Sequence, residues 1–185
     1  MKIFENCHLF HYPFEKVSAA HWQKYPNEYA THVVAVDTLD RKVLPDSQTL
    51  YTERLITCRQ GVPRWILKLV DGAQECYIRE VSYMDLKSRT LTLLSSNMTF
   101  CDRLRVHETV TYSPHHELNA TVFRQEARIE ALACMKRLAN IVEQWSVDRI
   151  SQKASIGKLG FENVLKQINL SVFHQLPVPS PDANS

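Results

Sequence analysis

Residues 120–131 read ATVFRQEARIEA, and no other stretch of the chain alternates so cleanly between apolar and charged side chains. On an extended strand, Phe123, Ala127 and Ile129 share one face. The opposite face carries four charged residues in succession, namely Arg124, Glu126, Arg128 and Glu130. Such alternation is typical of an antiparallel sheet that covers a core on one side and meets water on the other.

The same period of two extends back through most of the chain. Further strand-like runs cover 32–44, 49–59, 73–87, 89–101 and 103–112. Turn signals such as Pro45-Asp46-Ser47 and Ser113-Pro114 separate them, and short connectors favour an antiparallel meander. An apolar-rich strand at 2–11 and a short helix that starts at Pro13 and stops before Pro26 precede the meander.

Beyond the sheet the pattern becomes helical from 135 to about 170. Apolar residues recur there at three-, four- and seven-residue steps: Met135, Leu138, Val142, Trp145, Ile156 and Val164. Gly157 and Gly160 are expected to bend or loosen this helix. One strand, one helix, about six strands and a long helix predict an α+β fold, with a curved sheet covered by the helix and an apolar cavity between them.

Composition limits the classes of protein to which the chain can belong. Its 185 residues suit one domain, expected to span 1–170, and the tail 171–185, with prolines and small polar residues, is expected to be disordered. A net charge of +2 and only four glycines argue against nucleic-acid binding and against a glycine-rich phosphate loop. No run of about 18 apolar residues and no secretory signal are present, so composition alone favours the cytoplasm.

Three cations fall in positions where the pattern calls for apolar side chains. Arg54 shares a strand face with Ile56 and Cys58, and Arg149 lies on the same helical stripe as Val142 and Ile156. Lys153 follows Arg149 by four residues and faces a similar way. An isolated buried charge would cost several kcal/mol, so these cations need a counter-charge.

Two sources could supply that counter-charge. Glu108 lies in the inward register of its own strand and could pair with the cations, or their side chains could reach the rim. Alternatively, an anionic ligand binds them: a phosphate about 4 Å from one such cation gains about 4 kcal/mol at an effective dielectric near 20.

Residues 61–71, GVPRWILKLVD, interrupt the strand pattern and are predicted to form a loop with a short helix. The segment combines apolar and basic side chains in the manner of membrane-interface segments: Val62, Arg64, Trp65, Ile66, Lys68 and Leu69. We therefore predict that it is a lid that contacts membranes. The competing interpretation is that Trp65 and Ile66 fill the core.

Catalytic and metal chemistry have weak support in the sequence. The five cysteines are dispersed without a Cys-x-x-Cys motif and are expected to be reduced and mostly buried. Cys7-His8 with His11, and His115-His116, lack convincing metal-ligand spacing. We predict no catalytic residue, no metal and no cofactor, although a Cys–His nucleophile pair stays an alternative.

Several segments resemble the PRELI/slowmo family, called the Ups family in yeast, over about residues 1–170. They are KYPNEYATHVVAVDTLDR (24–41), TERLITCRQGVPRWI (52–66), REVSYMDL (79–86), SNMTFCDRLRVHETVTYSPH (96–115), FRQEARI (123–129) and WSVDRI (145–150). The strings KYPNE, ERLIT, QGVP and ETVTYSPH look closest to the fungal branch that is associated with phosphatidylserine.

The resemblance implies a fold similar to START and phosphatidylinositol-transfer proteins, with a seven-stranded antiparallel sheet gripping a long C-terminal helix. It implies phospholipid transfer from the outer to the inner mitochondrial membrane, in a complex with a small helical-hairpin protein with twin Cys-x9-Cys motifs (Mdm35-type). The expected location is then the intermembrane space, peripheral to membranes, which replaces the cytoplasm. The lid would be the family's Ω-loop.

The resemblance also assigns residues to a head-group pocket: Lys24, His32, Arg54 and Arg149. Arg54 and Arg149 are positions that the register argument had singled out, and that argument adds Lys153. Members that carry phosphatidic acid have lysines where this chain has Cys58 and Gly61, and other members have a lysine pair at Ser155-Ile156. Fewer cations suit a zwitterion-bearing head group such as phosphatidylserine.

Three alternatives stay open at the level of sequence. One is the transfer of phosphatidic acid in support of cardiolipin synthesis. Another is a START-like binder of a different apolar ligand that acts as a sensor or chaperone adaptor. The last is an enzyme on a lipid-like substrate, such as a Cys-dependent hydrolase.

Overall fold

The computed structural model describes residues 1–45, 48–59, 75–132 and 138–168. These residues form strands and helices in the following order: β1 (Lys2–Phe10), α1 (Phe14–Trp22), a 3-10 helix (Glu28–Ala30), β2 (Val33–Val43), β3 (Thr49–Arg59), β4 (Glu75–Asp85), β5 (Thr90–Asn97), β6 (Leu104–Pro114), β7 (Thr121–Ala131) and α2 (Ala139–Gln167).

The strands build one seven-stranded sheet in the order β1-β7-β6-β5-β4-β3-β2, and every neighbouring pair is antiparallel. The meander from β2 to β7 confirms the sequence prediction. Strand β1 pairs with the last strand of the meander, because Lys2 lies opposite Ile129 and Phe10 opposite Thr121.

Strand β5 ends four residues before the predicted limit, and Asn97 explains why. Its amide nitrogen donates to the carbonyls of Thr99 and Leu104, both at 2.8 Å, and its amide oxygen accepts from the Val106 N–H at 2.8 Å. A side chain that bonds backbone groups on both sides of a turn replaces ladder hydrogen bonds and ends the strand.

Helix α2 lies across the sheet and continues through both of its glycines. Gly160 is buried against the 3-10 helix, where an added Cβ would meet the Cβ of Tyr29 at 2.8 Å. Gly157 faces open space, with no atom within 4 Å of such a Cβ. Close packing therefore explains why residue 160 is a glycine, whereas the glycine at position 157 has no packing role.

The core lies where α1 and the last turns of α2 cover the sheet. Aromatic rings meet there edge to face, with 5.3 Å between the centroids of Phe10 and Phe161 and 5.2 Å between those of Tyr112 and Phe123. Burial of one large apolar side chain contributes about 1.5–3 kcal/mol. This cluster anchors the C-terminal half of α2 to the sheet.

Two sequence predictions fall outside the described residues. They are the lid with Val62, Arg64, Trp65, Ile66, Lys68 and Leu69, and the tail 171–185.

Candidate functional site

A cavity of about 460 Å³ lies between the sheet and α2. This volume falls within the roughly 300–1,000 Å³ that is usual for small-molecule sites. Apolar side chains from both layers form much of its wall: Phe10, Ile56, Ile78, Leu93, Val106, Val110, Phe123, Ala127, Val142, Trp145 and Phe161. The described residues thus line a hollow between sheet and helix.

Four of the five predicted head-group residues line this cavity: Lys24, His32, Arg149 and Lys153. Lys24 follows α1, His32 lies just before β2, and the other two are one turn apart on α2. The structure thus brings together cations from separate parts of the chain. Along the same stripe of α2, Val142 is buried, Arg149 half-buried and Ile156 42% exposed, so the stripe runs from the core to the rim.

The cations of this group are not held in salt bridges by the described part of the protein. Among the residues that the structure describes, none of Lys24, Arg149 and Lys153 forms a salt bridge. Burial and the charges of Lys153, Arg149 and Lys24 lower the pKa of His32 to about 4. Burial and Arg149 likewise lower the pKa of Lys153. The cavity wall therefore carries a local excess of positive charge.

Two polar atoms in the group are buried and have no hydrogen-bond partner among the described residues, the Nδ1 of His32 and the Nε of Arg149. A buried polar group without a partner costs about 1–3 kcal/mol, and more when it is charged. The Nε of Arg149 is a donor, so a ligand oxygen would satisfy it. A ligand that forms hydrogen bonds with these two atoms would therefore gain the most binding free energy.

Arg54, the fifth predicted residue, is held by protein groups. Its Nε donates to the Oε1 of Glu80 at 3.0 Å, and its Nη2 bonds the same carboxylate and, at 2.9 Å, the Nε2 of His21. The alternative in which Glu108 is the protein counter-charge does not hold for Arg54. Glu80 lies directly opposite Arg54 in the β3–β4 ladder and takes that role.

The sequence prediction missed His21 and Trp22, which complete the surroundings of Arg54. His21 is fully buried, and burial followed by the charges of Lys24 and Arg54 lowers its pKa, which keeps its ring neutral as an acceptor for Arg54. The guanidinium of Arg54 lies 5.4 Å from the centroid of the Trp22 ring, in the range of a cation–π contact.

Glu80 also lies in an inward strand register, so the same alternation that singled out Arg54 in the sequence could have identified Glu80.

Acceptor groups occupy the same cavity wall beside the cations. Glu108 accepts a hydrogen bond from the amide nitrogen of Gln125, whose amide oxygen accepts from the amide of Asn6 at 3.3 Å. Burial alone would lower the pKa of Lys24, but nearby tyrosine hydroxyls and the carboxylates of Glu80 and Glu108 raise it. Lys24 therefore stays charged at neutral pH, and the wall offers both positive and negative groups.

Metal binding and membrane spanning were also considered for the described part of the chain. No cluster of three or more His, Cys, Asp or Glu side chains within it could hold a metal ion. No helix there is long and apolar enough to cross a bilayer.

Solved structures identify the fold class first. A protein from Thermus thermophilus matches with a TM-score of 0.57 and 13% identity, covering 91% of this chain and 100% of its own. A Streptomyces aromatase/cyclase matches with a TM-score of 0.52 and 13% identity, covering 92% of this chain and 95% of its own. At these identities the likeness concerns the fold alone. The fold is the START-like α+β class, as the sequence predicted.

Sequence comparison then identifies the family. The PRELI-like family model matches residues 15–171, so the chain belongs to the PRELI-like family. A UPS-like protein of Schizosaccharomyces pombe is 75% identical over all of both chains. The protein UPS2, mitochondrial, of Saccharomyces cerevisiae is 49% identical over 90% of this chain and 73% of its own. The chicken PRELI domain-containing protein 1, mitochondrial, is 30% identical over 84% and 73%.

Proposed function

We propose that the protein is a mitochondrial phospholipid transfer protein that carries one lipid in the cavity between its sheet and α2. The observation that carries this proposal is a group of cations, Lys24, Arg149 and Lys153, that form no salt bridge with the described residues and lie on the wall of an otherwise largely apolar cavity. A phosphodiester would place negative oxygens against these cations. The acyl chains would lie against the apolar wall.

The energetics of desorption explain why a carrier is needed. Each buried CH₂ is worth about 0.8 kcal/mol, so two chains of about 16 carbons cost about 25 kcal/mol to expose to water. A protein cavity avoids most of this cost because the chains stay out of water during transfer. No covalent chemistry is needed, so we propose that the protein is not an enzyme.

The mixed wall supports phosphatidylserine as the cargo. The serine head group carries an ammonium and a carboxylate beside its phosphodiester, and Glu108 and Gln125 lie on the same wall as the cations. A site built for phosphatidic acid would need only the cations. The wall chemistry therefore favours the zwitterion-bearing lipid, with phosphatidic acid as the alternative cargo.

The proposed setting follows from the names of the relatives. Two of them are named mitochondrial, which supports a mitochondrial location for this chain. We propose the intermembrane space, because transfer from outer to inner membrane requires a carrier between them. We also propose a twin Cys-x9-Cys partner of the Mdm35 type, transient contact with membrane surfaces through residues 61–71, and no nucleic-acid partner.

The test is a vesicle transfer assay with the full chain and its co-expressed partner. Donor vesicles carry phosphatidylserine, phosphatidic acid or phosphatidylcholine at equal mole fraction, and acceptors carry none. We expect the fastest transfer for phosphatidylserine. Preference for phosphatidic acid would contradict the assigned cargo, and transfer of none of the three would contradict the proposed function.

Arg149→Glu tests the site itself. Reversal of one charge next to Lys153 should reduce transfer to the protein-free rate, since an anion about 4 Å away loses about 4 kcal/mol of attraction and meets repulsion instead. Arg105→Glu makes the same chemical change at an exposed β6 position and should transfer normally. Unchanged transfer by a folded Arg149→Glu variant, as judged by circular dichroism, would remove Arg149 from the site.

A further inference from the structure

Cys58 and Cys76 face each other across two neighbouring strands. They are directly opposed in the β3–β4 register, and both line the cavity. Directly opposed residues of antiparallel strands have Cβ atoms about 4.5–5.5 Å apart. A disulfide needs about 3.5–4.5 Å between these atoms, so a small movement of the strands would be enough to let the reduced pair form a disulfide.

The two thiols already interact in the reduced protein. A hydrogen bond between them raises the pKa of Cys58 and lowers that of Cys76, and burial adds to the effect on Cys58. Cys58 is 2% exposed, whereas Cys76 is half-buried. The ammonium of Lys153 lies close enough to Cys58 to interact with it electrostatically. The pair thus combines a half-buried thiol, whose pKa is lowered, with a buried thiol directly opposite it.

We propose that Cys58 and Cys76 form a redox site, a dithiol that a low-molecular-weight disulfide such as oxidised glutathione converts to a cross-strand disulfide. The Cys76 thiolate attacks one sulfur of oxidised glutathione, the S–S bond breaks, and one glutathione leaves with the electron pair and takes up a proton. Cys58 then loses its proton, attacks the Sγ of Cys76 and expels the second glutathione. The protein loses two hydrogens, and one glutathione disulfide becomes two glutathione thiols.

The bond would change the cavity wall where the cations gather. It would join β3 to β4 beside Lys153 and would connect the two chain positions that flank residues 60–74 in the sequence. This inference concerns only the reduced pair and its chemistry, so it holds or fails independently of the proposed lipid cargo.

Cys7 and Cys101 provide an internal comparison because both are exposed. Cys7 lies opposite Arg124 in the β1–β7 ladder, and Cys101 lies in the turn between β5 and β6. Within the described residues, neither has a cysteine as its strand partner. Exposure alone would make these two thiols the first to react, whereas a redox site predicts joint oxidation of Cys58 and Cys76.

The experiment treats the full-length reduced protein with oxidised glutathione, blocks the remaining thiols with an alkylating agent, and maps tryptic peptides without reduction. Trypsin places Cys58 in the peptide 55–59 and Cys76 in the peptide 69–79. We expect these peptides to become linked, with joint loss of both free thiols and full reversal by dithiothreitol. Mixed disulfides at Cys7 and Cys101 without linkage of 55–59 to 69–79 would overturn the proposal.

Two variants test the order of attack. Cys58→Ser should hold glutathione on Cys76 as a stable mixed disulfide, because the resolving thiol is gone. Cys76→Ser should leave Cys58 reduced, because Cys58 is buried. Glutathione on Cys58 in the second variant and none on Cys76 in the first would overturn the assigned roles, and the wild-type peptide map gives a result even if either variant fails to fold.

Discussion

Arg54 and Arg149 carry the same guanidinium but lie in different surroundings. Arg54 is 5% exposed and has the Glu80 carboxylate and the His21 ring as partners. Arg149 is half-buried with a buried Nε that has no partner among the described residues. A paired buried charge mainly maintains local structure, whereas an unpaired one on a cavity wall can bind a ligand.

Removal of one member of the buried pair should therefore destabilise the fold. Arg54→Met leaves Glu80 buried without its partner and should lower the free energy of unfolding by about 3–5 kcal/mol. Arg54→Met combined with Glu80→Leu should recover most of that loss, because no uncompensated charge remains. Urea unfolding of Arg54→Met, of Glu80→Leu alone and of the double variant measures the free energies of unfolding. A double variant as unstable as the sum of the single changes would show that the two residues act independently.

The pKa of His32 predicts how stability depends on pH. Its pKa is about 4 in the folded protein and about 6.5 in an unfolded chain, so the unfolded state binds more protons between these values. The free energy of unfolding should therefore fall as pH drops from about 6.5 to about 4. His21 has a lowered pKa and adds to the same trend.

His32→Asn provides the matched test of that contribution. The variant cannot titrate at position 32, so its stability should depend less steeply on pH in this window, while part of the slope persists through His21. Urea unfolding at several pH values gives both slopes. Equal slopes for the variant and the wild type would exclude a depressed pKa at His32.

At the scale of elements, the two glycines of α2 differ in what surrounds them. Gly160→Ala places a methyl group against Tyr29 and Asn27 and should destabilise the fold by about 1–3 kcal/mol through overpacking. Gly157→Ala meets open space and should stabilise the helix by up to about 1 kcal/mol. The difference in urea midpoint between these two identical substitutions is the measurement. Equal effects would contradict the close contact of α2 with the 3-10 helix.

Strand periodicity predicted most of the elements because the sheet has one buried and one solvated face. On β3, the inward residues Thr52, Arg54, Ile56 and Cys58 are all buried, as the alternation required. The boundaries were less accurate where a side chain ends a strand, as Asn97 does for β5. Such hydrogen bonds to the backbone leave no periodic trace in the sequence.

At the scale of the whole molecule, the volume between the sheet and α2 should limit what can bind. Val106→Trp points a large ring into the cavity from β6 and should reduce bound phospholipid severalfold, because the ring occupies space that the acyl chains need. Leu94→Trp makes a comparable change on the solvent side of β5, where Leu94 is 44% exposed, and should retain the lipid.

Native mass spectrometry of the purified complexes counts the bound lipid in both variants. Equal lipid content in the two folded variants would place the lipid outside this cavity.

The residue pattern alone was enough to predict the α+β class, the long helix and the unusual inward positions of Arg54, Arg149 and Lys153. Periodicity carries this information because each strand or helix reports locally which of its faces is buried. Which charges pair is a matter of distance between strands far apart in sequence. Glu80, rather than Glu108, neutralises Arg54, because the β3–β4 register places Glu80 directly opposite Arg54. The gathering of Lys24, His32, Arg149 and Lys153 around one cavity, and the meeting of Cys58 with Cys76, depend on the same three-dimensional packing.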